Sequence, residues 1–261
     1  MSLLSWIIIF SLVGGVLSVL AAAVFLLFPE RWRTRLLPHF ISFAIGSLLG
    51  AAFLGLLPHA LEGVQGEEVH SITLTVLLGL LVFFLLEKMV LWRHCHVDHC
   101  EAHDPAEHHH RSTKATGSIV MIGDTVHNFV DGILIGAAFL TNIHLGVVTA
   151  IAVAAHEIPQ ELGDFAVLLH SGFNRAQALL FNGLSGFATV AGALIAYYGL
   201  QDLHHVLPYA LAVAASSFIY VAVADLIPGL HRRMDLAATV QQIALISAGV
   251  LTIYLADKGL H

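Results

Sequence analysis

The sequence predicts an all-α membrane protein with eight transmembrane helices. Three observations carry that reading: an apolar composition, eight apolar runs of spanning length, and a one-sided distribution of basic residues. Of 261 residues, 57% are hydrophobic and 11% charged, with a mean hydropathy of +0.83. Soluble domains carry roughly 25% charged residues. A single soluble core cannot hide this much apolar surface, so the chain belongs in a bilayer. The net charge of −7 and the lack of a basic face exclude nucleic acid as a partner. Cys95 and Cys100 are too few for a disulfide framework.

A helix needs about 20 apolar residues to cross the hydrocarbon core. The first run, 4–28, has no Lys or Arg before it and exceeds the short apolar region of a signal peptide, so it reads as a span. The second and third, 38–60 and 72–92, are separated by the polar EGVQGEEVHS. The fourth and fifth, 118–140 and 145–170, are interrupted by polar residues and rest on length and flanks. The sixth, seventh and eighth are 176–199, 207–230 and 237–257. All are too long and too continuously apolar for alternating barrel strands. The hydrophilic 93–117 is the one long connection, and the whole chain, 1–261, reads as a single transmembrane domain.

The basic residues test the count. Arg31, Arg33, Arg35, Lys88, Arg93, Arg111, Lys114, Arg175, Arg232 and Arg233 fall in or beside the odd-numbered loops; of the eleven, only Lys258 does not. The positive-inside rule places those loops in the cytoplasm. Both termini then lie outside. The expected location is a plasma membrane, of bacterial inner-membrane type, with the lipid bilayer itself as a partner.

Two spans carry chemistry at their centres. In SIVMIGDTVHNFVDGILIGAAFL, His127 and Asp131 are four apart and share a helix face; Asp124 lies near it, and Asn128 is turned about 100° away. In GVVTAIAVAAHEIPQELGDFAVLLH, Glu157 and Glu161 are four apart, as are His156 and Gln160, and Asp164 follows. TNIHL is short, so the two spans are antiparallel neighbours with their clusters at matching depth. A bare charge at the bilayer centre costs roughly 2.5–3.5 kcal/mol on insertion scales. No Lys or Arg lies in a span core to offset it, and histidines stand beside the carboxylates. A divalent metal is the natural counter-charge, with nitrogen and oxygen ligands suiting zinc, iron or manganese rather than copper(I). Pro159 is expected to kink the fifth span, since it cannot donate to the Ala155 carbonyl.

HNFVDG at 127–132 and HEIPQELGD at 156–164 resemble the signature motifs of the ZIP (Zrt/Irt-like protein) divalent metal transporter family, the second matching the subfamily form HExPHELGD. Gln160 departs from the usual histidine there. The resemblance implies a binuclear site between spans four and five. His127, Asp131, His156, Glu157 and Glu161 match its transport-site positions, and Asn128 a second site bridged by Glu157 and Glu161. It further implies flanking three-helix inverted repeats, spans 1–3 and 6–8, and alternating access that moves metal, zinc foremost, into the cytoplasm. Zinc would be the transported substrate, with no catalytic cofactor, and a second copy of the chain is a candidate partner.

Asp124 and Asp164 are expected as supporting or pathway residues, as are His59 and Glu62 near the outer end of span two, His170 near the inner end of span five, and Asp225 in span seven. For Asp225 and Asn182, interhelical hydrogen bonding is an equally good reading. The tract 94–110 offers His94, Cys95, His96, His99, Cys100, His103, His108, His109 and His110 as loose metal ligands, or serves only as a solvated linker. Two other functions compete with transport. HEIPQ has the start of the HExxH of metal-dependent hydrolases but lacks its second histidine, and a non-transporting metal sensor would not need mid-membrane ligands.

Overall fold

The computed structural model describes residues 1–95, 105–231 and 235–259, with side chains over 1–89, 117–231 and 235–258. The described residues form eight helices and no strand: α1 (Leu3–Phe25), α2 (Glu30–Leu61), α3 (Glu67–Cys95), α4 (Pro105–Thr141), α5 (Ile143–His170), α6 (Arg175–Leu200), α7 (Leu207–Leu230) and α8 (Leu236–Gly259). Seven of them are long and apolar enough to cross a membrane; α5 is the exception, because its apolar run is interrupted by His156, Glu157, Glu161 and Asp164.

Packing shows that α5 crosses as well. Asn128 meets Ser185, Gly132 meets Thr189 and Gly136 meets Ala193, so α4 and α6 run parallel. Two parallel helices in sequence need a third crossing between them. At 28 residues α5 is long enough, about 42 Å. The same parallel relation joins α2 to α8 (Gly46 at Ile246, Gly50 at Ile253) and α3 to α7 (Gly79 at Ser216, Glu87 at Tyr220). α1 packs on α5 and α6. Exchanging helices 1–3 with 6–8, and 4 with 5, maps α4–α6 onto α1–α5, α2–α8 onto α3–α7 and α1–α6 onto itself, in keeping with the inverted repeat that the resemblance implies.

The helix ends have local causes. Asn142 is the single residue between α4 and α5; its φ of −159° breaks the helix and its side chain accepts the His144 N–H at 2.8 Å. Asn174 and Gln177 form a capping box at the start of α6. Gly63 and Gly66, at φ of +75° and +62°, turn the chain between α2 and α3, a conformation that costs glycine nothing.

Three helices contain a π-helical turn: Val13–Leu17 in α1, Ala51–Leu56 in α2 and Val221–Leu226 in α7. The last two stand at matching places in the two halves, each with a proline two residues beyond its end, Pro58 and Pro228. A proline ring crowds the carbonyl four residues back and gives it no N–H. A widened turn relieves that crowding. α5 absorbs Pro159 differently and stays helical from Ile143 to His170.

Two expectations change. α2 starts at Glu30, eight residues before the apolar run, because ERWRTRLL is composed largely of good helix formers. The loop 93–117 shrinks from both sides, since α3 continues to Cys95 and α4 begins at Pro105, a residue suited to a first helical position. His96, His99, Cys100 and His103 lie outside the described residues, as do Arg232 and Arg233. His94, Cys95, His108, His109 and His110 fall on the helix ends, where only the backbone is described.

α5 is the centre of the bundle, with buried residues all along its length. The outward faces of α3 and α8 carry exposed Leu74, Leu78, Leu81, Leu85, Ile243 and Leu251, the surface a bilayer covers. Within the groups α1/α4/α6 and α2/α8 the helices touch backbone to backbone: a Cβ on Gly132 would lie 1.9 Å from the Thr189 carbonyl oxygen, and one on Gly46 2.0 Å from that of Ile246. α5 meets its neighbours through side chains: Gly55 of α2 touches only Leu145 and Val148, Gly14 of α1 touches Val153, and Gly146 of α5 faces the ring of Phe139 on α4. Gly132→Val is therefore expected to destabilise the protein by at least the roughly 1–3 kcal/mol of overpacking. Gly163→Ala, in open space, should be neutral or stabilising. Thermal unfolding in detergent, followed by size-exclusion chromatography, checks both.

Candidate metal site

The turn at Asn142 folds α4 back on α5 and brings the central polar residues of both helices together. His127, Asp131, His156 and Glu157 each offer one ligand atom, and these four atoms lie within 4.8 Å of one another. His156 Nε2 is 3.1 Å from Asp131 Oδ2 and 3.3 Å from His127 Nε2. Glu157 Oε1 is 3.6 Å from both imidazole Nε2 atoms, and Asp131 Oδ2 is 3.7 Å from that of His127.

The ring of His156 is oriented by its own helix. Its Nδ1 lies 3.0 Å from the Ala152 carbonyl, which only accepts, so Nδ1 donates there and Nε2 is the atom turned into the cluster, where a bound metal would take its lone pair. Phe218 of α7 packs against the ring at 6.2 Å. Asp131, His156 and Glu157 are fully buried, whereas His127 keeps 23% of its side chain exposed and is the open side of the site. Neither carboxylate oxygen of Glu157 has a hydrogen-bond partner. Two lone pairs and two carboxylates converging in a buried space are a donor set for a tetrahedral divalent ion of zinc's kind.

Asn128 points away from this group, towards α6. Its Nδ2 donates to Asp124 Oδ1 and Ser185 Oγ, both at 3.1 Å, and its Oδ1 accepts from Thr189 Oγ1 at 3.0 Å. Gln160 Nε2 reaches Asp124 Oδ1 at 3.4 Å. Glu161 is fully buried but stands outside the four-residue group, with both oxygens unpartnered. Asp164 lies within hydrogen-bonding reach of Asp124, and Asp225 acts electrostatically on His127 and His156 from the π turn of α7. His59 and His170 use Nδ1 on their own helices, at the carbonyls of Gly55 and Ala166, and Glu62 caps α2 at an exposed position. None of these three joins the cluster.

Against known proteins, the family model of the ZIP zinc transporters matches residues 2–118 and 92–257. The chain belongs to the ZIP zinc transporter family. It is similar to zinc transporter ZIP13 of Mus musculus, with 32% identity over 255 residues, covering 86% of this chain and 70% of the relative. Zinc transporter ZIP13 of Pongo abelii is 32% identical over 232 residues, 84% of this chain and 66% of the relative. Zinc transporter ZIP4 of Homo sapiens is 31% identical over 258 residues, but those cover 77% of this chain and 39% of the relative. The chain thus spans about two thirds of the ZIP13 relatives and less of the longer ones.

Ser185 and Thr189 are the site residues that sequence reading missed. The signal was LSGFATVAG: two small hydroxyl residues four apart in α6, on the face that meets Asn128. His156→Ala is expected to weaken zinc binding by more than the roughly 10–100-fold that loss of an outer-layer partner costs. Isothermal titration in detergent measures it.

Proposed function

We propose that the chain is a secondary transporter that carries a divalent metal, zinc foremost and iron, manganese or cadmium as further cargoes, into the cytoplasm. The observation that carries this reading is the buried group His127, Asp131, His156 and Glu157 between two mid-bundle helices. Membership of the zinc transporter family supports it. Ligands at mid-membrane are how carriers build their sites. His127, the exposed member, receives the ion, and the buried carboxylates Asp131 and Glu157 neutralise it. Asn128, Gln160 and Glu161 form the adjoining set of donors.

Alternating access has a plausible physical basis in the packing. α4 is cemented to α6 through glycine contacts and α2 to α8 in the same way, while larger side chains separate α5 from α2. The site-bearing group is the unit that would slide. The basic loops set the direction: the loop between α3 and α4 faces the cytoplasm, both termini face outward, and the membrane is a plasma membrane. The histidine tract of that loop would be accessory, and a homodimer is compatible with the lipid-facing helices.

A hydrolase reading gains nothing from the geometry. Gln160, where a second zinc-binding histidine would stand, is engaged with Asp124 instead. The protein is accordingly taken as a carrier and not an enzyme.

In proteoliposomes the protein should admit zinc. His127→Ala and Glu161→Ala should each abolish uptake while the variants still insert; normal rates in both would refute the site. Deleting 95–110 should leave most of the uptake, and its complete loss in a folded deletion would make the loop essential. Because imidazole and carboxylate must shed protons to bind metal, zinc affinity should fall as the pH is lowered through the histidine range.

A further inference from the structure

A polar recess opens between the starts of α2 and α8, away from the metal-bearing helices. His39 and Ser42 line it from α2, and Gln241 and Gln242 from α8. One turn further along both helices, Gly46 meets Ile246 backbone to backbone and closes the recess on that side.

His39 is its unexplained member. His59, His156 and His170 each set Nδ1 against the carbonyl four residues back on their own helix. Nδ1 of His39 does not; it is buried and has no partner. Ser42 and Gln242 are engaged elsewhere, donating to the carbonyls of Pro38 and Leu230. A buried ring nitrogen left without a partner is costly, and an acceptor held in the recess would satisfy it.

Two cations stand over the mouth. Arg31, Arg35, His39 and Ser42 follow one another at spacings of four, four and three, so they share a face of α2. Both arginines are exposed, and neither makes an ion pair among the described residues. Glu30, one residue before Arg31, is turned about 100° away. Asp235 is committed to α8, where its Oδ1 accepts the Ala238 N–H. Pro38 opens the apolar run of α2, and the exposed Phe28 and Trp32 precede it as an aromatic belt does. The recess therefore lies where hydrocarbon meets headgroups. Exposed Phe40, Val240 and Ile243 stand beside it on the outer faces of the two helices.

We propose that the α2–α8 recess binds the phosphate of an anionic phospholipid, with His39 and Gln241 as donors and Arg31 and Arg35 as counter-charge. Basic pockets between helices at headgroup level hold such lipids. The apolar flanks favour a lipid over free phosphate, because they give the acyl chains a surface to lie on. Bound there, the lipid ties the α2–α8 pair to its leaflet and leaves α4 and α5 untouched. The inference rests on the chain being a membrane protein, and on neither transport nor its direction.

The test titrates the full chain in neutral detergent with phosphatidylglycerol, and in parallel with phosphatidylcholine, and reads bound lipid by native mass spectrometry. The wild type should hold its first phosphatidylglycerol at least about tenfold more tightly than phosphatidylcholine, as two basic residues at an anionic headgroup would give. Arg31→Gln and Arg35→Gln should each weaken that binding about fivefold, the effect of one basic residue. His39→Leu should weaken it as well, and His39→Gln, which keeps a donor, should retain most of it. Arg175→Gln, which removes an exposed charge at the start of α6, should change nothing. All variants should elute from size exclusion as the wild type does. Millimolar inorganic phosphate should leave the lipid in place. Equal affinity for the two lipids, an Arg175→Gln loss as large as that of Arg35→Gln, or displacement by inorganic phosphate would each overturn the proposal.

Discussion

Carboxylates held in a low-dielectric interior without a cationic side chain impose the constraint on which this bundle depends. Asp131 and Glu157 lie fully buried with two imidazoles between them, and Glu161 is buried close by. Each, left ionised and bare at mid-membrane, would cost roughly 2.5–3.5 kcal/mol on insertion scales. A divalent metal held between these groups offsets that cost directly. The rest of the fold holds that charge arrangement at the right depth. Asn142 sets the turn that faces α4 against α5, and the Ala152 carbonyl turns Nε2 of His156 inward. The Asn128–Ser185–Thr189 bonds tie the site to α6.

Packing divides the molecule by the size of its contacts. Where helices share glycines they touch backbone to backbone and cannot shift without breaking close contacts. Where α5 meets α2, leucine and valine side chains intervene. The π turns of α2 and α7 repeat between the halves, since each places an irregular turn just before a proline at the same point of its half. Asp225 sits within one of those turns, which carries its charge towards His127 and His156.

Much of this was legible from residue order. Apolar runs specify the number of spans, because the length needed to cross the hydrocarbon core follows from transfer energies that depend on composition. The four-residue cluster was legible for a different reason: i, i+4 spacing fixes a helix face, and a short connection fixes the depth of its partner. The same logic places Glu161 on this face without saying what it meets. It shares a face with Glu157, but a turn further along α5 the residue opposite on α4 is Asp124 and no longer His127, so the two glutamates face different surroundings. The π turns left no mark in hydropathy; in α2 and α7 their one sequence trace is the proline that follows, Pro58 and Pro228. Ser185 and Thr189 were passed over because small hydroxyls in a membrane helix usually satisfy their own carbonyls; here they bond to Asn128.

The central claim is that a metal is bound by two imidazoles and two carboxylates inside the bundle. X-ray absorption at the zinc edge, on the purified protein loaded with one equivalent, tests it most directly. The account predicts a first shell of nitrogen and oxygen only, at about 2.0–2.1 Å, with the outer-shell scattering of two imidazoles. Sulfur at about 2.3 Å would place the ion on Cys95 and Cys100 and contradict the account.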